Sequence, residues 1–135
     1  MNKGIWEREE DGPKVWRRSV YVYRKRGLPF PLFEAFDLPD QNITCSRRNV
    51  STVPTQALTL LNDDFVLRQA QLFANRVRES APAGPDAEID TAYEIALSRP
   101  PTDGEKRLAL DFLRKQKLVD FTHVLLNLNE FLYLR

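Results

Sequence analysis

Apolar side chains recur at helical intervals along the second half of this chain, and along the first half they do not. From Thr55 onward, Leu58, Leu61, Phe65, Val66, Ala70, Phe73 and Val77 fall on one helical face. Asn62, Asp63 and Asp64 interrupt that run with a capping residue and an acidic first turn. The pattern therefore predicts a short helix near residues 55–61 and a longer one near 63–79. The linker APAGP follows at 81–85. Ile89, Ala92, Tyr93, Ala96 and Leu97 then predict a third helix, which Pro100 and Pro101 stop. Thr102 and Glu105 have the spacing of a capping box and open a fourth, with Leu108, Ala109, Phe112 and Leu113 facing inward. A last helix is expected near 118–133, carrying Leu118, Phe121, Leu125, Leu128 and Leu132. The connections are short, which favours antiparallel neighbours in a small bundle.

The first third reads differently. Residues 1–16 form a polar lead-in containing Gly4, Gly12 and Pro13. Residues 19–24 (SVYVYR) are rich in β-branched and aromatic side chains and favour a strand, with a short helical turn as the competing reading. In a strand, Tyr21 and Tyr23 share one face and Val20 and Val22 the other, but no partner strand follows. Residues 28–39 hold Pro29, Pro31 and Pro39, so one regular element is excluded and a turn of helix at 32–36 is expected. Residues 40–53 read as an irregular polar loop. The fold expected is mainly α: a small bundle of four to five short helices over 54–135. It is preceded by an irregular, proline-rich basic arm over 17–53 with at most one short strand. Together these make a single domain, 17–135, read as a fragment of a larger one.

The chain has 135 residues, 42% hydrophobic and 29% charged, which suits one globular core without metal or disulfide staples. Net charge is +1, so no global field recruits a polyanion or a membrane. The charge is unevenly placed. Residues 17–48 carry seven basic against three acidic side chains, whereas from Ser51 onward ten basic face twelve acidic. Cys45 is alone, which excludes an intrachain disulfide and a cysteine-rich metal site. No Cys-x-x-Cys-His haem motif is present. The N-terminal residues lack the apolar run of a signal peptide, and no stretch is long enough to span a bilayer.

Several blocks carry a family resemblance. They are RRSVYVY at 17–23, the Pro-Phe-Pro corner with AFDLPD at 35–40, RRNVSTVPTQALTLLND at 47–63, ALSRPPTDGE at 96–105 and HVLLNLNEFLY at 123–133. With them the chain resembles the C-terminal part of the planctomycete-type PSD domain, domain of unknown function 1553. Asp64 stands where many relatives have proline, and either residue suits a first helical turn. The resemblance implies a piece of a large exported or periplasmic protein. Such proteins often carry a c-type cytochrome domain upstream and sometimes carbohydrate-binding domains. It carries over no catalytic residues. The role it implies is a non-catalytic structural or interaction module, partnered by upstream domains or a separate protein. The alternative is part of an oxidoreductase or glycan-processing enzyme whose site lies mainly upstream.

The residues themselves offer a few candidate sites. Arg17, Arg18, Arg47 and Arg48 suit bidentate capture of carboxylate, sulfate or phosphate, with an anionic glycan as the ligand. The competing and favoured reading is a structural clamp, in which these arginines pair with Glu34, Asp37 and Asp40 to pin the arm; a merely solvated face is the third. Glu34, Asp37, Asp40 and Asn42 are hard oxygen donors without the EF-hand spacing, so no metal is expected. Glu34 and Asp37 as a glycosidase pair are disfavoured. His123, the only histidine, lines up with Asp120, Asn127 and Glu130, read as a helix's polar edge rather than an acid–base site. Nothing brings Cys45 to His123. The basic, aromatic stretch 16–26 has the composition of a nucleic-acid surface but no surrounding motif, so no nucleic acid is expected. No cofactor is expected.

Overall fold

The computed structural model describes Gly12 and residues 17–25, 28, 30–39 and 54–132, apart from the side chains of Pro31 and Leu32. The chain divides into two compact units, Met1–Gln56 and Ala57–Arg135. The described residues are mainly helical, with no strand among them beyond an isolated antiparallel bridge between Lys25 and Leu28. Among them, no helix is long and apolar enough to cross a membrane.

In the first unit, Ser19–Tyr21 forms a 3-10 turn, closed by the Tyr21 N–H donating to the Arg18 carbonyl at 3.0 Å. From Val22 the backbone is extended. The helical turn is thus the form taken by residues 19–21. Helix α1 spans Pro31–Ala35, with proline at its first position where a missing N–H costs nothing. It ends in a Schellman motif: Leu38 N–H donates to Phe33 O at 3.0 Å and Asp37 N–H to Glu34 O at 3.3 Å. Asp37 sits there in the left-handed region, φ 54°, which short polar side chains tolerate.

Helix α2 (Pro54–Asn62) runs almost directly into α3 (Asp64–Ser80). The break falls one residue later than the expected Asn62. Asp63 is the N-cap, its Oδ1 accepting from Phe65 N–H at 2.8 Å, while Asn62 Nδ2 donates back to the Leu58 carbonyl. A carboxylate is the better partner for the positive end of a helix, so Asp63 takes the cap. Gly84, φ 121°, turns the chain into α4 (Pro85–Leu97), again with proline at the start. Helix α5 (Asp103–Leu113) opens with the complete Thr102–Glu105 capping box expected from the sequence. Helix α6 spans Leu118–Leu126 and opens on half a box: Lys117 N–H donates to Asp120 Oδ2 at 3.0 Å, and lysine has no acceptor to return.

The expected last helix is split. Asn127 Nδ2 donates to the His123 carbonyl at 2.9 Å, a local bond that competes with continuing the backbone ladder. A separate short helix α7, Asn129–Leu132, follows.

The core is built by Ala74 and Val77 of α3, Ile89, Ala92 and Tyr93 of α4, Ala109 of α5, and Leu118, Phe121 and Leu125 of α6. The Phe121 ring lies 6.3 Å from both Tyr93 and Phe112, centroid to centroid, in tilted pairs. Against α3, small side chains at Ala70 and Ala74 leave room for α6. Buried Thr122 lies there with its Oγ1 2.8 Å from the Ala70 carbonyl and 2.9 Å from that of Val119, sharing one proton between them. Four apolar residues assigned inward by periodicity face solvent instead: Leu58, Leu61, Phe65 and Leu108, the last 73% exposed. On α3 the buried stripe runs Val66, Ala70, Ala74, Val77, one residue round from Phe65. On α5 it centres on Ala109, with Leu110, Phe112 and Leu113 packed at its margins.

Candidate functional site

The densest arrangement of polar chemistry in the described residues surrounds Arg99. Helix α4 stops at Ser98, which takes a left-handed conformation (φ 56°, ψ 28°) and turns the chain out of the helix. Pro100 and Pro101 forbid its resumption. Arg99 is therefore held at a corner between α4 and α5. Its Nη1 and Nη2 donate to Glu105 Oε2 and Oε1 at 3.0 and 2.8 Å. Its Nε and Nη2 donate to Glu130 Oε1 and Oε2, both at 2.7 Å. The guanidinium carbon lies 5.6 Å from the centroid of the Tyr93 ring. One planar cation thus forks to two carboxylates and rests over an aromatic face, a geometry that lysine cannot reproduce.

Glu105 serves two structures at once. Its Oε2 also accepts from the Thr102 N–H at 2.7 Å and from the Thr102 hydroxyl at 2.8 Å. Hydrogen bonds from Arg99, then from the Thr102 backbone, hold its carboxyl down at about 2, against 4.5 for a free glutamate. The bonds Arg99 donates to Glu130, and then those to Glu105, raise the guanidinium, so it stays charged. Burial, then the nearby Glu105 charge, raises the Tyr93 phenol. Because the folded value of Glu105 is depressed, its contribution to stability is complete above about pH 4.5. It is lost as pH falls towards 2. The thermal midpoint of the chain should fall across that window, and Glu105→Gln should show a flatter acid limb. Identical limbs would show that Arg99 does not hold this carboxylate.

A second tie joins α4 to α5. Lys106 Nζ donates to both Asp90 oxygens at 2.8 and 2.7 Å, and these bonds raise the lysine. His123 reaches across from α6: its Nε2 lies 3.1 Å from the Leu60 carbonyl, which fixes Nε2 as the protonated nitrogen. Leu60 is in the last turn of α2, where helical carbonyls lack intrahelical partners.

Arg17 and Arg18 are exposed beside the 3-10 turn, and Glu34 is exposed on α1. Asp37 caps α1, with Gln56 Nε2 3.4 Å from its Oδ2. Arg24 reaches this stretch, its Nη2 donating to Pro39 O at 2.7 Å. Arg47, Arg48, Asp40, Asn42 and Cys45 lie outside the described residues. The line of Asp120, His123, Asn127 and Glu130 is divided among four different bonds, to Lys117, Leu60, the His123 carbonyl and Arg99. No group of three His, Cys, Asp or Glu residues able to hold a metal occurs among the described residues. Arg99 was not singled out. Its signal was the Arg-Pro-Pro-Thr-x-x-Glu spacing, which places an arginine and a glutamate across a proline corner; Glu130, 31 positions away, is not foreshadowed locally.

A family model described as PSD1, protein of unknown function (DUF1553), matches residues 2–113. The match takes in the lead-in and runs to the end of α5, so HVLLNLNEFLY at 123–133 falls beyond it. No curated protein and no solved structure matches the chain.

Proposed function

The chain belongs to the PSD1 family of unknown function, and on that premise we propose that it is a non-catalytic structural or interaction module. In this reading it is the C-terminal piece of a larger, exported multidomain protein. The observation that supports the reading is where the polar side chains of the bundle spend their hydrogen bonds. Arg99, Glu105 and Glu130 tie a helix corner to α7, Lys106 and Asp90 tie α4 to α5, and Thr122 and His123 bind main-chain carbonyls. Groups poised for catalysis are characteristically held at a cost to stability, and neutralising them tends to stabilise the fold. Groups that serve the architecture behave in the opposite sense. Glu130→Gln and Lys106→Met should therefore each lower the thermal midpoint of the chain. A rise with either would point to a functional site at that position and overturn the structural reading.

A further inference from the structure

We draw no further inference here: the strongest candidate, the apolar surface that Leu58 and Leu61 of α2 and Phe65 and Leu72 of α3 leave exposed, carries nothing because nothing in the structure shows what covers it.

Discussion

Alanine in place of Ile89 is expected to lower the unfolding free energy by about 2–5 kcal/mol, the cost of deleting a large aliphatic side chain from a packed core. Ile89 is fully buried on α4, in the cluster that includes Val77, Phe121 and Leu125. Removing three carbons there loses both transfer free energy and the contacts of the surrounding wall, and neighbours on three other helices cannot all move in to fill the gap. The informative control is Leu108→Ala. That side chain is exposed on α5, and its loss should change stability by no more than about 0.5 kcal/mol. Urea unfolding of both variants at neutral pH gives the comparison. Similar costs for the two would mean that α5 is rotated relative to the core described above.

Arg99→Ala should follow, at about 1–3 kcal/mol. The side chains of Arg99, Glu105 and Glu130 are 32%, 31% and 48% exposed, so water screens the network and its loss should cost less than that of a fully buried pair. What raises it above an ordinary surface pair is the forked geometry on both sides and the ring beneath. Arg99→Lys should recover only part of the loss, because an ammonium group cannot fork to two carboxylates. A double-mutant cycle with Glu130→Gln isolates the longer link, since Glu105 retains its bonds to Thr102 in either background. A coupling energy indistinguishable from zero would mean that α7 is not held by this arginine.

How much of this was legible in the sequence differs by element. The helices of the second half could be read because each is closed by chemistry that acts within a few residues. Pro85 and Gly84 open α4, Thr102 and Glu105 box α5, and Pro100 and Pro101 exclude a longer α4. Burial was read less well for a definite reason. Where Phe65 adjoins Val66 and Leu108 adjoins Ala109, two neighbouring positions are both apolar, and periodicity cannot say which of them faces the core; the packing of α3 against α6 decides the first and that of α5 against α4 and α6 the second. In both pairs the smaller side chain, Val66 or Ala109, is the buried one.

The polar site was legible only in halves. Glu105 was recognised as a cap from local spacing, but its second duty depends on Arg99, and that of Arg99 on Glu130, which arrives from the far end of the bundle. The break at Asn127 was also hidden, because Leu125, Leu128 and Leu132 keep helical spacing straight through it. In the first unit, the segment whose alternation of Tyr and Val favoured a strand begins instead as a 3-10 turn, with extended backbone at Val22.

The bond from Arg99 to Glu130 has a topological consequence. It closes residues 99–130 into a ring that contains the whole of α5 and α6. While the guanidinium stays seated, the two ends of that ring are held together, which limits how far α5 and α6 can carry them apart. The short terminal helix therefore works as the tongue of a buckle, and the strap it fastens is most of the C-terminal half of the bundle.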